Sequence, residues 1–590
     1  MLDTSPYRLN YNLGMQSNYD EQIVAETLQE WSQMQAWRNT FASQWEEVAE
    51  LIDPNSRNTF FAYNFNWPGQ KKTDRQVDAT GMMAHGRFKA ICDSLLTPRN
   101  SIWHGLASED PYVMKDRDTR LWFEQVTKLL FQHRYAARAN FSANNQAYFG
   151  DLGAYGTAGM FIDASDGSDG TGRGLRYQAA RLGELFIRQN HQGKVDGVIR
   201  WFRLTAQQAM QKWGPARFPE VLRPALDQKS PMIYDFLHRV VPRTDYDPGR
   251  MDAKGKAFAS YYVCVIGKTL MGEGGFHSFP YAVSRYEQAP GEFYGRGPAM
   301  MVLPALKTLN AEKRTFLKQG HRAADPVLLT AEDGLVDISM RPGALNKGGV
   351  SPDGKALIMP LPTGTIQISK EMMDEERSLI NDAFLVSLFQ ILTETPTMTA
   401  TEVIERTNEK GILIAPTMGR QHSEYIGNMV PREIDLLAQQ GLLPPMPPRL
   451  REARGHYGVT DTSPISRAAQ AGAAAGFIRT VETTKELVAI TQDQSLLDVY
   501  DFDTAQRDIA AIQGVNESWM SSPQQIAQKR KARAAQQQQQ AAIQAAPAQA
   551  AMMKAQAAQQ KAGMGPNTGQ PQGGQAPAQG GPPLAQQLGG

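Results

Sequence analysis

The chain has 590 residues, of which 41% are hydrophobic, and its 61 lysines and arginines against 60 aspartates and glutamates leave a formal charge of +1. This length exceeds one ordinary hydrophobic core, so we expect two or more structural regions. The charge near zero excludes a strongly basic nucleic-acid-binding protein, so any contact with nucleic acid must come from local patches or from repetition in an oligomer.

Cysteine content and hydrophobicity indicate where the protein is made. Cys92 and Cys264 lie in apolar surroundings, which is typical of buried thiols in a reducing compartment and offers no disulfide framework. No run of 18 apolar residues is present, and the first residues lack a signal-peptide pattern. We therefore expect a protein that is cytosolic where it is made and has no membrane partner.

The N-terminal part of the chain has the periodicity of helices. Residues 1–20 are polar and predict a flexible segment. Apolar positions then recur at helical spacing, and Asp53-Pro54 and Thr97-Pro98 are stop signals. The run from Gly150 to Ile162 predicts a helix, a tight turn and a strand. The predicted helices span residues 20–52, 78–96, 117–138 and 140–157.

Between residues 171 and 283 the pattern changes to that of β-strands, with alternating or continuous apolar runs. Leu204-Thr205 opens one short helix that extends through Lys212, and the run from Gly272 to Gly275 predicts a flexible hairpin tip. The predicted strands span residues 175–178, 184–188, 198–203, 234–241 and 259–266.

A central stretch from Gly291 to Thr407 predicts a helix, a small extended insert, a second helix, a short loop and a third helix. In the first helix, apolar residues define one face, and a second stripe carries four basic residues at steps of seven, four and four. These residues are Lys307, Arg314, Lys318 and Arg322. Pro298 suits the first turn of this helix, and Pro304 either kinks its first part or moves its start.

The insert predicts three short strands between turns, spanning residues 326–330, 335–339 and 355–359. Ser369 is the predicted N-cap of the second helix, whose early turns carry the acidic run from Glu371 to Glu376 and whose apolar body extends to Leu392. The segment from Thr393 to Thr399 is a short loop, and Thr399-Ala-Thr-Glu402 is a capping box for the next helix.

The C-terminal part predicts a long helical region over residues 400–442, interrupted around residues 411–419, and then a proline-rich connector. Further helices are predicted over residues 465–490, 496–512 and 517–546. The alanine- and glutamine-rich continuation to about residue 560 is compatible with helix in an assembly. The tail from Gly563 to Gly590 is predicted to be disordered, because its composition buries too little apolar surface to offset the entropy of ordering.

Several strings in this order resemble the portal, or head-to-tail connector, proteins of short-tailed bacteriophages. Two of them flank the central helices, namely Tyr294-Gly-Arg-Gly-Pro298 and Met398-Thr-Ala-Thr-Glu-Val403. The others run from Trp45 to Leu96, from Gly150 to Ile162 and from Leu185 to Trp213. Their order and spacing make the resemblance specific, and it covers roughly residues 25–545.

The resemblance implies an α+β, portal-type fold with a mixed α/β wing, an α-helical stem, a small β-rich clip, an α-helical crown and a disordered C-terminal tail. It assigns residues 1–20 to a flexible N-terminus, 21–297 to the wing, 298–325 and 369–392 to the two stem helices, 326–368 to the clip, 393–399 to the tunnel loop, 400–448 to a long wing helix and connector, 449–562 to the crown or helical barrel, and 563–590 to the tail.

In this family a closed ring of about twelve copies forms the channel at one capsid vertex, through which DNA is packaged and ejected. The implied partners are other copies of the chain, major capsid and scaffolding proteins, the terminase large subunit, a tail adaptor protein and double-stranded DNA bound without sequence specificity. No cofactor is implied.

The resemblance places the basic stripe in the DNA channel, where rings of modest positive charge would attract phosphates without reading sequence. A solvated helix face explains the same spacing equally well. The tunnel-loop residues would be Thr393, Thr395, Pro396, Thr397, Met398 and Thr399.

The sequence offers no catalytic, cofactor or metal residues. Gly267-Lys268-Thr269 follows a predicted strand, but Tyr262 stands where a phosphate-binding loop requires glycine, so we interpret the stretch as a strand and a turn. The acidic run from Glu371 to Glu376 suits a helix N-terminus better than a magnesium site. The main alternative is another virion structural protein, such as an internal ejection protein or a tail-tube adaptor; a packaging ATPase or nuclease lacks its phosphate loop.

Overall fold

The computed structural model describes residues 16–61, 69–165, 172–330, 339, 341–362, 366–387, 419–453, 455–462 and 464–562. These residues combine helices with β-sheets, and the chain divides into two compact units between Glu517 and Ser518. Within the described ranges, no helix is long and apolar enough to span a membrane.

Helices form most of the N-terminal part and of the C-terminal half. A π-helical turn, His422–Ile426, leads directly into α11. The helices are α1 (Gln16–Leu51), α2 (Thr80–Leu96), α3 (Pro111–Met114), α4 (Arg117–Arg134), α5 (Phe141–Tyr155), α6 (Ala206–Trp213), α7 (Arg223–Asp227), α8 (Pro298–Met301), α9 (Leu303–Ala324), α10 (Ile366–Ala383), α11 (Gly427–Gln439), α12 (Pro448–Glu452), α13 (Pro464–Thr491), α14 (Phe502–Ile512) and α15 (Pro523–Ala562).

The described strands pair in antiparallel fashion. They are β1 (His104–Ala107), β2 (Thr157–Ser165), β3 (Gly174–Ala180), β4 (Leu185–Gln189), β5 (Val195–Thr205), β6 (Ile233–Pro242), β7 (Phe258–Cys264), β8 (Thr269–Phe276), β9 (Tyr281–Arg285), β10 (Leu328–Thr330), β11 (Ile358–Pro360) and β12 (Gly458–Asp461). They form a five-stranded sheet in the order β4-β5-β6-β7-β8, a three-stranded sheet in the order β3-β2-β9, and the pairs β1-β12 and β10-β11.

The five-stranded sheet is covered on both faces because apolar residues alternate along its strands. One face, with Leu237 and Val263, packs on the first half of α1. The opposite face, with Phe236, packs on α6. The largest core joins the second half of α1 with α2, α4, α5, α9, α11 and the three-stranded sheet, and Trp45 and Trp103 are fully buried in it.

Most predicted elements are confirmed, with ends shifted by a few residues. The four N-terminal helices correspond to α1, α2, α4 and α5, and the five predicted strands correspond to β3 to β7. The short helix opened by Thr205 is α6, which Thr205 and Gln208 cap reciprocally. Strong periodicity and stop signals therefore predict local structure well in this part of the chain.

The first helix of the central stretch is divided at its start. Val302 separates α8 from α9, and Pro304 lies in the first turn of α9. Of the two effects expected of Pro304, the structure therefore shows that the start of the helix is moved. Proline is tolerated in a first turn because it has no N–H to donate in the helix interior. In the insert, the first predicted strand is β10 and the third is β11, whereas residues 335–338 lie outside the described ranges.

Two predictions, one in the sheet region and one in the central stretch, are wrong. The run from Gly272 to Gly275 is not a hairpin tip but part of β8, paired with β7. A Cβ at Gly275 would lie 2.8 Å from the carbonyl oxygen of Phe258, so the glycine permits a close approach of two backbones rather than flexibility. Ser369 is not an N-cap, because α10 begins at Ile366 and the chain at Ser369 is already helical.

The C-terminal helices differ from the prediction at their boundaries. The predicted helix over residues 496–512 is divided into a 3₁₀ segment, Gln494–Val499, and α14, because the Asp501 carboxylate accepts from two backbone N–H groups and caps a new helix. The last helix begins at Pro523, after a capping box formed by Ser522 and Gln525, and it continues to Ala562. Residues 563–590 lie outside the described ranges.

Candidate functional site

The predicted basic stripe lies on α9. The apolar residues Leu303, Leu306 and Leu309 are buried. The four basic residues Lys307, Arg314, Lys318 and Arg322 are all exposed. Apolar and basic residues therefore occupy different sides of α9, as their spacing predicts, and the place of the basic side in a DNA channel stays a prediction.

One member of the stripe is held by another helix. The Lys307 ammonium lies 2.7 Å from the Glu47 carboxylate of α1, and about half of each side chain is exposed. Such a surface ion pair contributes little to stability, about 0–1 kcal/mol. Arg314, Lys318 and Arg322 form no ion pair with any other residue that the structure describes, so they are available to an external anion.

The start of the α8–α9 segment is fixed by glycine contacts between two sequence strings. Gly156 ends α5 in the left-handed region, with φ of 73°. A Cβ on Gly156 would lie 2.3 Å from the backbone of Arg296 and Gly297. The backbone that precedes Pro298 therefore packs directly on the turn between α5 and β2, at a distance that only glycine permits.

The predicted tunnel loop, residues 393–399, lies outside the described ranges. The last residues described before it leave α10 through Leu385, whose φ is 62°, and the Leu385 N–H donates to the Asp382 carbonyl at 2.9 Å. The predicted apolar helix body is interrupted, because α10 ends at Ala383 and helical backbone resumes at Val386 and Ser387. The rest of the predicted body, residues 388–392, lies outside the described ranges.

Helix α10 has one buried side, and most of its acidic residues lie on the exposed remainder of the helix. Met373 and Ile380 are buried, while Arg377 bridges Asp374 at 2.8 Å and Asp78 at 2.9 Å. Burial alone would raise the pKa of Asp78, but hydrogen bonds from Thr80 and Arg377 lower it overall. Within the described part of the chain, no three acidic, histidine or cysteine side chains converge as metal ligands would.

A buried polar node joins four segments that are distant in sequence. Arg134 of α4 and Glu433 of α11 form a fully buried ion pair, with Arg134 Nε 3.0 Å from the Glu433 carboxylate. Tyr177 of β3 donates to the same carboxylate, and Arg134 lies 2.8 Å from His104 Nε2 of β1. Burial lowers the pKa of Arg134, but Glu433 and Tyr177 raise it overall, which keeps the guanidinium charged.

A second buried network attaches the π-helical turn to the three-stranded sheet and to α5. Gln421 accepts from Ser284 at 2.6 Å and donates to the Arg285 carbonyl at 3.0 Å. The Tyr425 hydroxyl donates to Asn145 at 2.8 Å. Together with the node at Glu433, these bonds fix α11 and the turn before it against β9, β3 and α5. No signal within the local sequence indicates either network.

The stretch that imitates a phosphate-binding loop is a strand and a turn, as interpreted from the sequence. β7 ends at Cys264, and the chain returns into β8 through Lys268, whose φ is 45°. Burial raises the pKa of the Cys264 thiol, and it raises that of the buried Cys92 as well. Neither thiol is therefore activated as a nucleophile.

A cleft of 1970 Å³ lies between the five-stranded sheet, β3, α2 and α5. Its wall includes several lysines and arginines, among them Arg173, Arg176 and Lys212. The sequence does not predict this cleft, because its basic residues lie in separate elements and form no run or stripe.

Comparison with known proteins indicates a family. The sequence profile of the family described as "Bacteriophage head to tail connecting protein" matches residues 24–520. The chain is 26% identical to a "Probable portal protein" of Bordetella phage BPP-1 over 88% of this chain and 92% of that protein. It is 25% identical to the "Portal protein" of Salmonella phage epsilon15 over 87% of this chain and 91% of that protein.

Two solved structures match part of this chain at low sequence identity. A chain of the neck of an empty gene transfer agent particle is 13% identical, covers 66% of this chain and 88% of its own length, and has a TM-score of 0.32. A chain of a native gene transfer agent virion is 12% identical, with coverages of 68% and 85% and a TM-score of 0.31. Overlaps of this size do not establish a shared fold.

Proposed function

Because this chain belongs to the bacteriophage head-to-tail connecting protein family and is a phage portal protein, we propose that about twelve copies close into a ring around a DNA channel. The profile match over residues 24–520 supports this role, together with two portal relatives that each align with more than four fifths of the chain. The ring is the part of the virion at one capsid vertex through which the genome is packaged and ejected.

The proposed organisation follows the order of the elements. The helices and two larger sheets before Pro298 form the wing, α9 and α10 form the stem, and the β10–β11 pair belongs to the clip. The helices from α13 onward form the crown, and residues 393–399 form the tunnel loop. The pairing of α9 with α10 and the small exposed sheet between them support this assignment.

We further propose that the exposed stripe on α9 lines the channel. DNA that moves rapidly needs contacts that are individually weak and independent of sequence. Four basic residues per chain, repeated around a ring, meet this need without making the whole surface basic. The exposure of Arg314, Lys318 and Arg322, free of ion pairs to described residues, supports the proposal.

The proposed partners are those of a structural channel and not those of an enzyme. They comprise capsid and scaffolding proteins during assembly, the terminase large subunit during packaging, and a tail adaptor protein afterwards. The protein performs no chemistry itself and carries no cofactor. Its work depends on the shape of the channel and on weak attraction of phosphates.

Ring formation without the C-terminal tail is the first test. A chain truncated after residue 562 is expected to form the same rings as the full chain, because the composition of the removed segment adds nothing to a packed core. Negative-stain images of both purified proteins should show rings with a central hole. Light scattering gives the second measurement. A monodisperse folded species of about one chain mass would contradict the ring, whereas loss of rings only on truncation would contradict the role given to the tail.

Charge removal on α9 is the second test. The double substitution Lys318→Gln and Arg322→Gln is expected to leave heads assembled but to reduce packaged or retained DNA severalfold. The deficit should grow as salt falls, since screening hides charge differences at high salt. The measurement is DNA per purified head at two ionic strengths.

The matched control removes the same charge elsewhere. Lys347 and Lys355 are exposed residues of the insert, and their replacement with glutamine should leave DNA retention unchanged. Equal losses in both double variants would refute the assignment of the stripe. An assembly structure with Lys318 and Arg322 on the outer surface of the stem would refute it as well.

A further inference from the structure

The cleft between the five-stranded sheet, β3, α2 and α5 has the size of a site for a polymer segment. Its volume of 1970 Å³ exceeds the roughly 300–1,000 Å³ of pockets for small molecules. Half-buried aromatic rings contribute to the wall, among them Phe161, Phe202 and Phe276. A ligand in this cleft would therefore meet flat apolar faces as well as charged groups.

The wall carries an excess of positive charge. Its carboxylates, each already paired with an arginine, are Asp53, Asp151, Asp163 and Glu184. Its cations that form no ion pair with another described residue are Lys89, Arg173, Arg176, Lys212 and Lys256. The cleft is thus strongly basic although the whole chain has a formal charge of only +1, which indicates an anionic ligand.

Lys212 lies beside aromatic rings and close enough to two arginines to be repelled by them. The Lys212 ammonium lies 4.9 Å from the centre of the Phe202 ring and 4.4 Å from that of Tyr262. Burial, together with repulsion from Arg200 and Arg176, lowers the pKa of Lys212 to about 8. An anion placed among these groups would relieve the repulsion and favour the charged form of the lysine.

The edge of β3 makes a polypeptide strand a poor ligand. The Asn144 side chain donates to the Tyr177 carbonyl at 3.1 Å and accepts from the Ala179 N–H at 2.9 Å. Gln440 donates to the Gly174 carbonyl at 2.9 Å. These side chains already bond the backbone N–H and C=O groups of β3 that an added strand would pair with. β-Augmentation is therefore blocked at this edge.

Aromatic faces beside cations distinguish between forms of nucleic acid. In a duplex the bases are stacked on one another, so the aromatic side chains of a concave wall contact only the sugar-phosphate backbone. In a single strand the bases are free to stack on aromatic side chains while lysines and arginines follow the phosphates. We propose that this cleft binds a single-stranded segment of nucleic acid, at a site separate from the stripe on α9.

The test uses the full-length protein and fluorescence anisotropy. The probes are a labelled oligothymidylate of about 12 nucleotides, within the range of about 4–16 that single-strand grooves cover, a blunt duplex of the same length, and a polyglutamate peptide. The single strand is expected to bind more tightly than the other two. Arg173→Glu together with Arg176→Glu should weaken its binding about tenfold or more and reduce the salt dependence.

Two further variants complete the design. Arg173→Gln with Arg176→Gln removes the charges without adding acid, and both residues are exposed, so the fold should persist; unchanged thermal unfolding confirms this. Lys347→Glu with Lys355→Glu changes the same charge at exposed residues of the insert and should leave the affinity for the single strand unchanged.

Three results would overturn the proposal. They are no binding of the single strand, equal loss of binding in the insert variant, or polyglutamate binding that is as tight and depends equally on Arg173 and Arg176. The last result would assign the cleft to an acidic peptide. None of these results would contradict the portal role, which is tested separately by ring formation.

Discussion

Replacing Glu433 with alanine is expected to lower the free energy of unfolding by about 3–5 kcal/mol, because it leaves the buried Arg134 guanidinium without its counter-ion. Both side chains are fully buried, so water cannot replace the lost carboxylate. Tyr177 loses its acceptor at the same time. The measurement is the shift of the denaturation midpoint of the variant relative to the unaltered protein.

A double substitution separates an uncompensated charge from simple loss of packing. Arg134→Met combined with Glu433→Leu removes both charges and keeps apolar volume. Since replacing a whole buried ion pair is often close to neutral, the double variant should be more stable than Glu433→Ala alone. If the double variant is destabilised by the sum of its two single changes, the node contributes through packing and not through its charges.

The elements with strong local signals are those that the sequence predicts. The first helix has an apolar face from Leu28 to Ile52 and stops at Asp53-Pro54, and the structure ends α1 at Leu51. Likewise, alternation over residues 234–241 predicts β6 almost to the residue. In both cases the burial pattern has the period of the element itself, so one chain segment carries all the information.

Elements defined by distant partners are not predicted in this way. β12 pairs with β1 across more than 350 residues, and neither four-residue strand has a pattern of its own. Gly272 to Gly275 suggests flexibility, yet pairing with β7 fixes it in a strand. The local sequence sets the conformation that a segment prefers, whereas pairing with the neighbouring backbone determines the conformation that it adopts.

The candidate sites divide along the same line. The stripe on α9 is visible in the sequence because one helix carries all four residues at helical spacing. The cleft draws Lys89 from α2, Arg176 from β3 and Lys212 from α6, so only the folded chain brings them together. The node around Glu433 joins residues 299 positions apart and is hidden for the same reason.

Replacing Gly156 with alanine is expected to destabilise the protein by about 2–5 kcal/mol. The left-handed φ of 73° costs a residue with a Cβ about 1–2 kcal/mol. The new Cβ would also lie 2.3 Å from the backbone of Arg296 and Gly297, and overpacking of this kind costs about 1–3 kcal/mol more. The backbone of Arg296 and Gly297 cannot move away from the new Cβ as a flexible side chain could.

Gly441 provides the matched control, because it also follows a helix in the left-handed region, with φ of 69°, but a Cβ there meets no atom within 4 Å. Gly441→Ala should cost only the conformational part, about 1–2 kcal/mol. The difference between the two variants measures the clash alone, and equal midpoints would show that the contact at Gly156 is easily relaxed.

The same contact should control assembly. Arg296 and Gly297 immediately precede α8, so a shift of their backbone is carried into the start of α9 and changes its direction relative to the sheets. A closed ring requires every subunit to present the same geometry to its neighbour, and a small angular error is multiplied around the circle. Gly156→Ala should therefore yield fewer closed rings in negative-stain images than Gly441→Ala, even below the unfolding temperature. Rings in equal yield from both variants would mean that other contacts fix the direction of α9.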